Sequence, residues 1–424
     1  MRPVNQYRND LMKLFCLFAS THMISDGLQL CAQEQKQAEW LQWRGPERDG
    51  HVSGASWPES LNEQHLTKAW EKSLGPGYSG PIITKRYIFV TETKDRREEY
   101  VYALDRKTGK QVWQAHWAGA MDVPFFAIAN GDWIRATPAC DGARLYVAGM
   151  RDVLVCLDVE SGAEIWRVDF VNKFKSHLPA FGFVSSPLLD DNFVYVQAGG
   201  GFAKLDKLSG KVIWHVLKDG GGMFGSAFSS PFLTRIDGQK VVLVQTRTFL
   251  AGVNPTDGKI LWKQEIPAFR GMNILTPTVA DNTIFTSSYG GGSLLIKAEK
   301  QDSNWKLSEI WKNKQQGYMS TPVLIAGHLY LHLRNQRFSC IDVKSGNTKW
   351  TTKPFGKYWS LVTNGETILA LDEQGDLLLI RANPNKFELL DTRKVADVSW
   401  AHLAVCGNNI IVRDLHAVTV YQWE

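Results

Sequence analysis

Apolar and polar positions alternate in short runs, and the runs recur at a steady spacing. One unit shows the pattern whole. Ala136–Cys140 reads as an inner strand and Asp141-Gly142 as a turn, and Arg144–Ala148 then alternates apolar with polar residues, as a strand with two unlike faces should. Val153–Leu157 follows as a third strand, and a turn from Asp158 to Gly162 delivers a fourth around Trp166. The turn and the tryptophan form a phrase that returns along the chain. It is written Leu104-Asp105-x-x-Thr108-Gly109 to Trp113, Leu157-Asp158-x-x-Ser161-Gly162 to Trp166, and Leu205-Asp206-x-x-Ser209-Gly210 to Trp214. It returns as Val253-Asn254-x-x-Asp257-Gly258 to Trp262 and as Ile341-Asp342-x-x-Ser345-Gly346 to Trp350. Aspartate or asparagine can hold the bend by accepting backbone N–H groups, and glycine supplies the left-handed conformation that closes it. The tryptophan is placed to fill the gap between neighbouring units.

A second landmark opens each unit. It runs Gly80-Pro81, Thr137-Pro138, Ser186-Pro187, Ser230-Pro231, Thr276-Pro277 and Thr321-Pro322, with weaker copies at Ser360-Leu361 and His402-Leu403. Successive copies lie 39 to 57 residues apart, the period of four-stranded propeller blades. Both landmarks count eight, if a degenerate fourth strand is accepted near Phe387–Leu390. They are offset: Trp70 precedes the first inner strand, and the last unit stops at Trp423 without a fourth strand of its own. The pattern predicts an all-β, eight-bladed β-propeller of four-stranded antiparallel blades. Leu66–Leu74 closes the ring and removes two open sheet edges. The expected organisation is a signal peptide over 1–32, an N-terminal extension over 33–65 and the propeller over 66–424.

Composition changes this picture little. The 424 residues are 44% hydrophobic and 21% charged with a net charge of +5, and the basic residues are interleaved with acids. Nucleic-acid binding wants a concentrated basic face, so it is set aside. Arg2, Arg8 and Lys13 ahead of the apolar run Leu14–Ala19 read as an export signal, with a cleavage site around Leu30-Cys31-Ala32. The expected location is therefore periplasmic or secreted. A lipid anchor on Cys31 is disfavoured by bulky Leu30, and no later segment approaches the ~20 apolar residues of a membrane helix. Cys140, Cys156, Cys340 and Cys406 lie in or beside apolar strands and read as buried small hydrophobes.

Three apparent catalytic motifs fail on their context. Gly220–Gly225 matches G-x-G-x-x-G, but a strand follows it where a nucleotide fold needs a helix. His328 and His332 stand at metal-ligand spacing for a helix, yet Gly327–Leu333 alternates as a strand, which places them about 13 Å apart, half-exposed on one face. Gly77–Pro81 lacks the final glycine of a nucleophile elbow. The aspartates Asp105, Asp158, Asp206 and Asp342, one per blade, read as turn formers and not as metal ligands. The expected catalytic residues and metal ligands are accordingly none.

One pattern stands out against a purely structural reading. Aromatic, methionine or arginine residues precede nearly every inner strand, which should gather them around one mouth of the central channel. The candidate ligand- or partner-binding residues are Trp133, Arg135, Phe183, Met223, Phe224, Arg270, Asn273, Tyr318, Trp359 and His402. The loops there are unequal, and the three long ones, 114–136, 167–185 and 215–229, belong to consecutive blades and are rich in Phe, Met and Gly. Such a surface suits adaptable contact.

The D-x-x-[ST]-G-x-x-x-W repeats resemble those of the pyrroloquinoline-quinone-like propellers, also called quinoprotein alcohol dehydrogenase-like. The stretch Trp40, Trp43, Arg44, Gly45, Pro46, Arg48 and Gly50 resembles the leader of exported members, and the likeness spans residues 40–424. The resemblance implies one of two functions, because the family holds both quinone-dependent dehydrogenases and an outer-membrane β-barrel assembly lipoprotein. The chain's length is similar to the second. It lacks the adjacent cysteine pair of the dehydrogenases and any C-x-x-C-H haem site. The expectation is a non-catalytic scaffold of the cell envelope, without a cofactor, that docks a protein or peptide on the long-loop face. The alternative is an oxidoreductase using the quinone and calcium at the channel mouth, with Arg135 and Arg270 anchoring the anion and Trp133 or Trp359 stacking on it.

Overall fold

A computed structural model describes residues 38–54, 57–302 and 304–423. Its strands form eight four-stranded antiparallel sheets. Seven of them are consecutive runs of chain: blade 1 over 82–118, blade 2 over 139–169, blade 3 over 188–216, blade 4 over 232–265, blade 5 over 278–313, blade 6 over 323–351 and blade 7 over 360–394. Blade 8 joins three C-terminal strands within 404–423 to Leu66–Ser73, which pairs antiparallel with Ala417–Trp423. The expected closure of the ring is what the structure shows. The inner strands are shorter than anticipated; that of blade 2 is only Ala139–Cys140, because Thr137 and Pro138 are used otherwise. The predicted signal peptide and Cys31 lie outside the described residues.

The repeat is an inter-blade joint. A register shift sits beside the tryptophan in each fourth strand, as at Cys156↔Trp166 and Leu157↔Glu164, and the bulge turns the ring toward the next blade. There the glycine of the following turn lies flat against it. A Cβ on Gly162 would stand 2.5 Å from the Trp113 ring, and one on Gly109 2.5 Å from Trp70. Both glycines have positive φ, at 72° and 70°, so the residue type is required twice over. The indole N–H then donates to a carbonyl of the same turn: Trp113 to Val159, Trp166 to Lys207 and Trp311 to Val343, at 2.7–3.0 Å. The aspartates act within the turn, as expected. Asp158 Oδ1 accepts from the amides of Glu160 and Ser161 and from the Ser161 hydroxyl, and these bonds hold its carboxyl below the usual range.

Blade 7 departs from the rule for a topological reason. Its tryptophan position is Asp391, which pairs with Leu379 as Trp166 does with Cys156. The blade it faces is the one completed by Leu66–Ser73, so among the described residues no Asp–Gly turn joins its third and fourth strands to receive a ring. Residues just ahead of the closing strand fill the place: Asp391 Oδ2 accepts from Leu61 N at 2.6 Å and from the Ser60 hydroxyl at 2.9 Å. Trp57 packs on Trp423 beside them.

The Ser/Thr-Pro landmark is a hydroxyl belt around the channel. Gly80 N donates to Thr137 Oγ1, Thr137 N to Ser186 Oγ, Ser186 N to Ser230 Oγ, Ser230 N to Thr276 Oγ1 and Thr276 N to Thr321 Oγ1. Each hydroxyl satisfies a buried amide one blade back, which would otherwise cost about 1–3 kcal/mol. Cys140, Cys156, Cys340 and Cys406 are buried in the strands.

Candidate functional site

Residues 39–52, part of the expected N-terminal extension, form a strap across one end of the channel. Trp40 pairs with Ile83 of blade 1, Leu41 O accepts from Cys140 of blade 2, and Gln42 Oε1 accepts from Leu189 N of blade 3. Farther on, Arg44 donates to the carbonyls of Thr321 and Pro322 just before blade 6, and Arg48 to those of Ser186 and Pro187 just before blade 3. Both guanidinium groups flank Trp43, at 5.7 and 5.6 Å from its ring. Burial pushes Arg48 down to about 9. The strap leaves one open mouth, on the side of the long loops.

Behind that mouth is a cavity of about 150 Å³, floored by Trp43 and walled by Tyr78, Arg135, Tyr358, Trp359, Trp400 and His402. Arg135, Trp359 and His402 are thus at the channel, as expected. Arg135 spends its guanidinium on the carbonyls of Trp133 and Gly131 at 3.2 and 2.9 Å. His402 meets Trp43 edge-on at 5.0 Å, and burial pushes it down to about 3, so it is neutral at physiological pH. Trp133 stands beside Tyr78, outside the cavity wall.

Two candidates do not belong to the mouth at all. Phe183 is 2% exposed and packs on Phe170 inside the hydrophobic core between blades 2 and 3. Asn273 is fully buried, where its amide donates to the carbonyls of Arg247 and Ile266. Both follow loops that dive inward before the strand starts, which linear position does not reveal. Arg270 is exposed over Phe269, outside the channel. His332, expected half-exposed, is 4% exposed and stacked on Trp359 at 4.6 Å.

The long loops form a different surface. Phe125, Phe126, Ile128 and Phe224 are 85%, 52%, 54% and 76% exposed. Phe126 leads through Phe181 to Phe228 at ring separations of 6.3 and 5.6 Å. Arg247, which the sequence did not single out, covers Phe228 at 4.4 Å and donates to Met223, Gly225, Arg270 and Gly271 carbonyls. It pins the Gly220–Gly225 loop, so that loop is a folded turn with Met223 and Phe224 held outward.

The profile of a family described as "Outer membrane protein assembly factor BamB" matches residues 53–115 and 97–352. The chain belongs to this family. BamB of Yersinia pestis is 21% identical over 309 residues, covering 69% of this chain and 72% of its own length. BamB of Moranella endobia is 22% identical over 391 residues, 85% of this chain and 92% of its own. The crystal structure of BamB from Moraxella catarrhalis superposes with a TM-score of 0.62 at 15% identity, covering 85% of this chain and 98% of that one. A europium-containing methanol dehydrogenase gives 0.55 at 11% identity over 93% and 100%. At those identities the two structures testify to the eight-bladed fold alone.

The channel is a poor fit for the quinone that the dehydrogenase side of the fold carries. Its cavity is half the roughly 300 Å³ at which small-molecule pockets begin. Arg135 is committed to carbonyls and Arg270 lies outside. Among the described residues, no three His, Cys, Asp or Glu side chains gather as a metal ligand set.

Proposed function

We propose that this BamB-family chain is a non-catalytic scaffold of the cell envelope that takes part in outer membrane protein assembly. It docks a protein partner of that machinery on the long-loop face of blades 1 to 4. The observation that carries this reading is the apolar loop surface: Phe125, Phe126 and Ile128 are held exposed on the 114–136 loop and Phe224 on the 215–229 loop, with Phe181 and Phe228 running between them. Contiguous exposed apolar groups of this kind mark interaction sites, and aromatic anchors dominate binding energy. The export signal read at the N-terminus and the names of the relatives support an envelope location. No helix among the described residues is long and apolar enough to cross a membrane.

The test is co-purification of the assembly machinery with the tagged full-length chain from its own envelope. Phe125→Ser, Phe126→Ser and Phe224→Ser together should weaken capture at least ~30-fold, about 2 kcal/mol, while the melting temperature stays put. Phe183 is excluded from the set because its loss would open the core. Equal recovery with the triple variant refutes the docking face. The quinone-dependent reading has its own test: titration with quinone and calcium, followed by tryptophan fluorescence, is expected to give no saturable change.

A further inference from the structure

The mouth carries a second chemistry besides the exposed phenylalanines. Tyr289, Tyr318, Tyr358, Trp400, Tyr78 and Trp133 follow one another around it, with ring centroids 4.7–6.1 Å apart. The first three wall a separate recess of about 320 Å³ over blades 5 to 7. Its floor and rim are polar: Ser320, His332, Arg334, Gln336 and Lys357. Arg334 lies 4.0 Å from the Tyr289 ring centre and donates to its hydroxyl at 3.1 Å. It has no carboxylate within ion-pair distance among the described residues, whereas Lys357 is neutralised by Glu373 at 3.1 Å.

Two features show a site that is costly to keep. Nε2 of buried His332 has no hydrogen-bond partner among the described residues, a buried polar atom left unsatisfied in the wall of the recess. Tyr358 and Gln336 hold left-handed backbones, φ 53° and 64°, which cost a bulky side chain about 1–3 kcal/mol each and cluster at ligand sites. The left-handed turn at Tyr358 sets its ring between Tyr318 and Trp400.

We propose that this recess binds an acidic saccharide unit, stacked on the tyrosine faces with its anionic group on Arg334. Flat amphipathic rings receive the C–H face of a sugar, while the hydroxyl, amide and guanidinium groups of the rim match its hydroxyls. Only Met319 and Leu333 are aliphatic, and Leu333 is buried, so an apolar peptide side chain finds little to pack on. The volume suits one or two sugar rings at the small end of ligand pockets. The free positive charge selects an acid, carboxylate or sulfate.

The experiment titrates the full chain with trigalacturonate, a sulfated chondroitin disaccharide and neutral maltotriose, by calorimetry and tryptophan fluorescence. At least one acidic probe should saturate at or below about 1 mM, bind at least ten times more tightly than maltotriose and weaken with added salt. Which acid binds separates the carboxylate source from the sulfate source. Arg334→Gln, at an exposed position, should lose at least tenfold in affinity, and Tyr318→Leu with an unchanged melt should do the same. The proposal is overturned by no saturable heat up to about 20 mM, by equal binding of neutral and acidic probes, or by an Arg334→Gln chain that binds like the parent.

Discussion

Glu99 makes the stability of the blade 1–blade 2 joint depend on pH. It is fully buried in the third strand of blade 1, where Oε2 accepts the Trp117 indole N–H and Oε1 accepts Met150 N of blade 2, each at 2.7 Å. Burial outweighs those bonds and the pull of Arg151 and Arg167, and pushes the carboxyl from 4.5 up to about 7. The native state therefore keeps the proton to a higher pH than the unfolded chain. Between pH 4.5 and about 7 the unfolded state binds fewer protons, so stability falls as pH rises through that window and levels off above it. At 1.36 kcal/mol per unit, the loss amounts to about 3 kcal/mol. Glu99→Gln removes the titration and keeps the shape. Its amide N–H₂ must face one of two donors, a pH-independent cost of about 1–3 kcal/mol. The quantity to read is thus the difference between variant and parent across pH. Urea unfolding from pH 4.5 to 8.5 should show the parent losing about 3 kcal/mol relative to Glu99→Gln. Parallel pH profiles would refute the reasoning, as would a parent that gains relative stability.

Other perturbations test the joints of the ring. Gly162→Ala should destabilise by about 3 kcal/mol, combining the left-handed backbone with displacement of the Trp113 ring, whereas Gly142→Ala, with positive φ and open space, should lose only about 1–2 kcal/mol; equal losses in chemical denaturation would remove the stacking argument. Deleting Leu66–Ser73 should leave an insoluble or protease-sensitive product, and a monomer that melts like the parent would contradict closure by that strand. Arg48→Met strips the Ser186 and Pro187 carbonyls of their donor and should expose residues 39–54 to limited proteolysis while the blades stay intact; an uncut strap would count against it.

The sequence alone determined the architecture, because each blade repeats one local problem and solves it with the same residues. A bend needs Asp and a left-handed Gly, and the gap beside it needs Trp, so strand count, period and the offset that closes the ring stand in the linear pattern. Even the degenerate blade 7 follows from its facing the blade that Leu66–Ser73 completes. The site was legible only in outline. Residues preceding the inner strands do face the mouth at Arg135, Tyr318, Trp359 and His402, yet the same rule misplaced Phe183 and Asn273, whose loops turn them into the core. Tyr289 and Arg334 escaped notice although they sit at turns between second and third strands. Alternating strand direction brings those turns to the same end as the long loops. Only the tertiary structure decided which ring is buried and which exposed, that the strap seals one end, and that Arg334 meets no carboxylate among the described residues. Those outcomes depend on contacts between residues far apart in the chain, where a packing choice in one blade sets the exposure of a side chain in another.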